Sequence, residues 1–232
     1  MSGPPRAASK PPGKGADPVV RRLGDELLAA ADASSRRFIL GITGPPGAGK
    51  STLAGALAAA VAEERGSAAA VVAPLDGFHL SNETLDLLGL RSVKGAPQTF
   101  DARAFVEFLR QLRDEHAATV LWPDFDRTAE ETVADAIPIG PETKLVITEG
   151  NYLLLNRPWW REVSQLLDEV WYIDAPRDVL RRRLIERQIA GGRSEADSVR
   201  HVDESDLPNA ELVARTRRLA DRTVAFDDAG GC

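Results

Sequence analysis

One segment limits what this chain can fold into more than any other: Gly44-Pro45-Pro46-Gly47-Ala48-Gly49-Lys50-Ser51-Thr52. It satisfies G-x-x-x-x-G-K-[ST] in full. An apolar run, Phe38–Thr43, precedes it, and an Ala- and Leu-rich stretch from Ser51 to about Glu64 follows. Glycines let the backbone curl so that successive N–H groups point inward at an anion. A helix starting after Lys50 aims its positive dipole end at the same place. In that strand–loop–helix context Lys50 reaches the β- and γ-phosphates of a nucleotide, and the Ser51 hydroxyl ligates Mg²⁺. Gly44, Pro45, Pro46, Gly47, Ala48, Gly49, Lys50, Ser51 and Thr52 are the expected ATP-binding residues.

The same alternation continues along the chain. From Pro18 to about Ser35 apolar residues recur at Val19, Val20, Leu23, Leu27, Leu28 and Ala31, the spacing of an amphipathic helix with Pro18 in its first turn. Short strands are predicted at residues 69–75, 119–122, 144–148 and 169–173, and a last one at 223–226. Helices are predicted within 99–116, where Phe105, Phe108, Leu109 and Leu112 share a side, and over about 178–190 and 209–221. Strands alternating with helices imply an α/β fold, a mostly parallel sheet covered by helices on both faces. No internal repeat interrupts it, so a single domain over residues 18–228 is expected.

Composition narrows the function. The formal net charge of −6 gives no broad basic surface for nucleic acid, so phosphate binding has to be local. The single cysteine, Cys232, allows no internal disulfide, which fits a reducing compartment. His79, His116 and His201 are scattered and give no metal-ligand spacing. Residues 1–17, rich in Pro, Gly, Ala and Ser, lack the apolar stretch of a secretory signal and read as a disordered tail. No run approaches the roughly 18 apolar residues of a membrane span. A cytoplasmic protein without membrane or nucleic-acid partners is expected, and a homodimer is left open.

In an open parallel sheet, ligands bind beyond the carboxyl ends of the strands. Two acidic residues fall there: Asp76, in Leu75-Asp76-Gly77-Phe78-His79, and Glu149, after Leu145-Val146-Ile147-Thr148. Phosphoryl transfer to a hydroxyl wants one carboxylate at the acceptor proton and another in the Mg²⁺ shell. Asp76 is assigned the first role and Glu149 the second, directly or through water. An Asp-Gly pair is also an ordinary turn signal, and a glutamate after a strand can simply cap the next element.

The set GITGPPGAGKST, LDGFH, KGAPQTFD, PDFDRT, VITEGNYLLL and ERQIAGGRS resembles the P-loop kinases related to uridine kinase, phosphoribulokinase and bacterial pantothenate kinase, and among them a nucleoside/nucleotide kinase branch. The likeness runs from about Phe38 to Phe226. It implies a five-stranded parallel core in an order typical of nucleotide kinases, with ATP and Mg²⁺ as co-substrates. It also puts Asp76 in the place of the family's catalytic aspartate and makes residues 178–196 a mobile lid. One departure bears on the acceptor. Uridine kinases hold the base with a tyrosine and a histidine at the positions occupied here by Phe125 and Glu130. A phenyl ring donates no hydrogen bond, so uridine is a poor fit. Asp126 and Arg127 remain to grip hydroxyls or an anionic group of the acceptor.

Arg181, Arg182, Arg183, Arg187 and Arg193 crowd the lid segment. Arginines there neutralise the charge spreading over a transferred phosphoryl group, and Arg187 and Arg193 are the expected catalytic ones. Arg181 and Arg182 read as solvated, like most charge runs. Gly191-Gly192 offers a hinge or a plain helix stop. His79 and Lys94 are candidate acceptor contacts, against the alternatives of a structural histidine and an exposed loop lysine. Trp159 and Trp160 are expected to pack the following helix onto the core. The expected activity is transfer of the γ-phosphate of ATP to a hydroxyl of a small metabolite of nucleoside, sugar or pantothenate-like type. The alternative is a P-loop ATPase or GTPase module without such an acceptor. A guanine-specific switch needs Asn-Lys-x-Asp, and the sequence contains none.

Overall fold

The computed structural model describes residues 17–114 and 118–225. The residue 1–16 part of the expected tail lies outside the described residues, as do His116, Phe226 and Cys232. In chain order the elements are α1 (Pro18–Ala33), β1 (Phe38–Thr43), α2 (Lys50–Arg65), β2 (Ala70–Pro74), α3 (Asn82–Leu87), α4 (Ala102–Asp114), β3 (Val120–Asp126), β4 (Glu131–Ile139), β5 (Leu145–Glu149), α5 (Trp160–Val163), β6 (Glu169–Asp174), α6 (Arg177–Ala190), α7 (Glu195–His201), α8 (Leu207–Ala214) and β7 (Arg222–Ala225). No helix among the described residues is long and apolar enough to cross a membrane.

Five strands form one parallel sheet in the order β2-β5-β1-β6-β7. Successive side chains of a strand point to opposite faces, and both faces here are apolar. Ile39, Val146, Val170 and Tyr172 face a core made with Phe105, Val106, Leu109 and Leu112 of α4. Leu40, Ile42, Leu145, Ile147, Trp171 and Ile173 face another, made with α1, α2 and the Leu180–Leu184 stripe of α6. This is the three-layer arrangement of P-loop proteins. Helix α2 is fixed by a face of small and aliphatic residues, Leu53, Ala54, Leu57, Ala60 and Val61, all buried.

Register aligns the strand ends that matter. Ile42, Glu149 and Pro74 stand in one row across β1, β5 and β2. The turn into Gly44, the Glu149 carboxylate and the segment carrying Asp76 therefore leave the sheet at the same edge. A buried ion pair pins the opposite end of β1. Asp168 accepts from the Ile39 amide at 2.7 Å and pairs with Arg113 at 2.7 Å, and both side chains are largely buried.

Three expectations are corrected. The strand predicted at 119–122 continues to Asp126 and does not join the parallel sheet. It pairs antiparallel with β4, which had no counterpart in the sequence reading, to form a separate hairpin. Trp122 explains the placement: its ring is fully buried against Phe78 and Phe105, and its Nε1 donates to the Pro74 carbonyl at 3.0 Å. The helix predicted over 209–221 begins at Leu207, ends at Ala214 and gives way to a 3₁₀ turn at Arg217–Leu219. Trp160 packs into the core, but Trp159 is 40% exposed, with the Arg103 guanidinium over its ring.

Candidate functional site

The carboxyl edge of the sheet opens into a cleft of about 880 Å³ that reaches from the phosphate loop to the β3–β4 hairpin and the C-terminal part of α6. Gly44 opens the loop at φ 150, where a Cβ would stand 2.6 Å from the Ile173 carbonyl, so the turn admits only glycine. Gly49 caps α2 in a left-handed conformation, leaving the first amides of the helix facing the cleft. Lys50 lies back along the loop and donates to the Pro45 carbonyl at 2.9 Å. Burial lowers its pKa to about 8, against the opposing pull of Glu149 and Asp76.

Ser51 donates its hydroxyl proton to Glu149 Oε1 at 2.7 Å. Glu149 is only 6% exposed, and burial first, then the nearby Asp76 charge, hold its pKa above the usual glutamate range. The desolvated carboxylate next to a hydroxyl is a hard oxygen pair beside the phosphate cradle. Mg²⁺ suits such a donor set, because it is bound through one or two protein oxygens and keeps its other positions for phosphate and water.

Asp76 sits in the 3₁₀ turn Leu75–Phe78 that leaves β2. Arg127 Nη2 donates to its Oδ2 at 2.8 Å. The turn is anchored at Gly77, where a Cβ would meet the Pro123 carbonyl at 2.2 Å, so only glycine lets the hairpin approach. His79 Nδ1 donates to the Asp76 carbonyl at 2.9 Å, and the ring lies between Phe100 at 4.0 Å and Phe125 at 4.8 Å. Burial pushes its pKa below the ordinary value and favours the neutral ring. Lys94 donates to Asn82 Oδ1 and the Glu130 carbonyl, each at 2.7 Å, and stands 5.1 Å from the Phe125 ring centre. Burial lowers its pKa as well.

Lys50, Ser51, Asp76, His79, Lys94, Arg127, Glu149, Arg187 and Arg193 thus line one cleft, although they come from separate parts of the chain. Asp126 does not. It is exposed, and its Oδ1 accepts from the Thr128 and Ala129 amides, a turn that closes the hairpin. In this structure it caps the hairpin turn and stands apart from the residues that line the cleft. Arg181 forks onto Asp203 at 2.8 and 2.9 Å and Arg182 is exposed. Arg183 reaches the Gly47 carbonyl at 3.4 Å from the cleft side. Arg91, Phe100, Asn151, His201, Asp206 and Asn209 also line the cleft without having been singled out. Asn151 alone carried a usable signal, since it follows Glu149-Gly150 at a strand end.

A family model described as methylmalonyl Co-A mutase-associated GTPase MeaB matches residues 16–78. That span holds the phosphate loop with β1 and β2 and stops before the β3–β4 hairpin and α6. Two curated relatives match far more. "Uncharacterized protein YggC" of Escherichia coli (strain K12) is 37% identical over 206 residues, covering 88% of this chain and 85% of its own. "Putative uridine kinase C227.14" of Schizosaccharomyces pombe is 35% identical over 186 residues, covering 78% and 79%. Among solved structures, a "putative fructose transport system kinase" from Silicibacter sp. TM1040 aligns with a TM-score of 0.80 at 35% identity, over 88% of this chain and 98% of that one. Fold, phosphate cradle and relatives agree: the chain belongs to the P-loop kinase superfamily of uridine kinase, phosphoribulokinase and bacterial pantothenate kinase.

Proposed function

We propose that this protein is an ATP- and Mg²⁺-dependent kinase that phosphorylates a hydroxyl of a small metabolite, with Asp76 as general base. The observation carrying this reading is the shared cleft, in which the Asp76 carboxylate, oriented by Arg127, lies within electrostatic reach of Lys50. The acceptor oxygen attacks the γ-phosphorus while Asp76 takes its proton, and the bond to the β-phosphate oxygen breaks to release ADP. Lys50 exchanges the Pro45 carbonyl for the β- and γ-phosphate oxygens. Arg183, Arg187 and Arg193 face the same space and spread the developing negative charge. Ser51 and Glu149 would hold Mg²⁺, which neutralises phosphate charge when bound. The cradle binds the anion, and Asp76 makes the site a transferase.

Phe125 at the hairpin weighs against uridine, because its ring is taken up by His79 and Lys94. The test is ADP release with Mg·ATP against a panel of nucleosides, sugars and pantothenate, with Asp76→Asn alongside. Stimulation by one class, reduced about 10²- to 10⁴-fold in the variant while ATP still binds, is the expected result. Full turnover by Asp76→Asn would reduce Asp76 to a turn residue.

A further inference from the structure

Between α7 and α8 the backbone widens into a π turn, Val202–Asp206, closed by the Leu207 amide on the Val202 carbonyl. Pro208 gives the reason. It lies inside an otherwise continuous helix, has no N–H to donate, and its ring would strike the carbonyl four residues back in regular α geometry. Widened turns of this kind recur at functional sites. This one carries Asp206 at its end, with Asn209 three residues on and hence on the same side. Both line the cleft, as does His201.

Asp206 is half-buried, and its Oδ2 is fully shielded without a hydrogen-bond partner among the described residues. Gln188 is the neutral polar group beside the carboxyl, and Arg187, His201 and Arg193 are the cationic groups around it. Burial raises its pKa despite them. Its charge is also felt by Tyr152, whose hydroxyl donates to the Gly95 carbonyl at 2.6 Å. Gly95 adjoins Lys94, so the charge of Asp206 reaches toward the part of the cleft that Lys94 and His79 line. An orphaned buried acceptor is costly, which makes it a poor structural residue and a good receptor for a donor supplied by a ligand.

We propose that Asp206 and Asn209 form a hydroxyl-reading subsite of the acceptor pocket, so that the acceptor is a polyol with a second hydroxyl besides the one turned to Asp76. The inference rests on the kinase reading above. A carboxylate only accepts and a side-chain amide can donate, which together match a hydroxyl that does both. Arg187 and Arg193 beside the carboxylate disfavour a cationic ligand group. An apolar group would leave the carboxylate oxygen as it is, buried and unpaired, and would be rejected.

The experiment compares wild type, Asp206→Ala, Asp206→Asn and Asn209→Ala. Binding is read by calorimetry with Mg²⁺ and a non-hydrolysable ATP analogue present, and turnover by ADP release. The probes are free pentoses and hexoses, nucleosides, the deoxy partner of each, and simple mono-alcohols. The expected result is a polyol that binds wild type and loses about ten- to a hundredfold in Asp206→Ala. Its deoxy partner should lose as much on wild type and nothing further on the variant. Ligand-free Asp206→Asn should melt no lower than wild type, as a merely structural aspartate would not allow. Equal polyol affinity in wild type and Asp206→Ala overturns the inference. So does preference for mono-alcohols, or no polyol binding while the nucleotide analogue binds; in each of these cases the kinase reading stands. A fall in turnover with unchanged acceptor affinity would make Asp206 a holder of the lid arginines and overturn it too. Failure of the nucleotide analogue to bind would sink the kinase reading itself.

Discussion

Replacing Lys50 by methionine keeps the length of a buried side chain and removes its charge. Lys50 is 7% exposed, and burial drops its pKa from 10.5 to about 8 in the ligand-free protein. At about 1.4 kcal/mol per pKa unit, the charged lysine costs the fold about 3 kcal/mol at pH 7. That figure already contains the attraction to Glu149 and Asp76, because they act on the same titration. Methionine also forfeits the bond to the Pro45 carbonyl, worth about 1 kcal/mol. Ligand-free Lys50→Met should therefore be more stable than wild type by about 2 kcal/mol at pH 7, a rise in Tm of about 4–8 °C for a domain of this size. The folded-state pKa lies below the unfolded one, so between about 8 and 10.5 the unfolded wild type holds more protons and its stability rises with pH. The advantage of the variant should shrink over that window and be nearly gone at pH 10. Differential scanning fluorimetry without nucleotide at pH 7 and pH 10 reads both effects. A variant that melts below wild type at pH 7, or a gap that ignores pH, refutes the reasoning.

Other substitutions probe the frame around the site. Asp168→Ala leaves the buried Arg113 guanidinium without its carboxylate and the Ile39 amide without its acceptor, so chemical denaturation should show a loss of about 3–5 kcal/mol. Gly77→Ala drives a Cβ into the Pro123 carbonyl and pushes the hairpin from the turn that carries Asp76. It should cost about 1–3 kcal/mol by the same measurement and lower turnover far more than nucleotide affinity, because the phosphate loop is untouched.

How much of this was legible beforehand divides along a physical line. The phosphate loop binds through its backbone, which demands Gly44 and Gly49 at fixed spacing and so writes a motif into the sequence. The parallel strands follow from short apolar runs, since a strand covered on both faces needs no alternation. The β3–β4 hairpin did not show. Its β4 strand is mostly exposed and carries too little hydrophobic pattern, and what holds it, Trp122 against Pro74 and Gly77 against Pro123, is contact between distant segments. The place of Asp126 outside the cleft was hidden for a related reason: an aspartate that caps a turn and one that lines a cleft are the same letter. Asp206 was invisible because a widened helical turn has no periodic signature.

The cleft gathers desolvated charges of both signs, yet burial outweighs their mutual attraction. Lys50 titrates low and Glu149 high, each shifted toward its neutral form although the other stands nearby. A pair optimised for stability would be closer and better solvated, or replaced by apolar residues. The strain is relieved only by a ligand that brings negative charge to Lys50 and positive charge to Glu149 together, which a metal-bound polyphosphate does. Neither phosphate nor a divalent cation alone satisfies both residues. Burial also separates Asp76, whose carboxylate is held by Arg127 and only partly buried, from the buried Glu149. The two carboxylates end adjacent segments of one sheet edge, but their surroundings differ: Asp76 meets solvent and Arg127, while buried Glu149 is left to a counter-charge that a ligand has to bring.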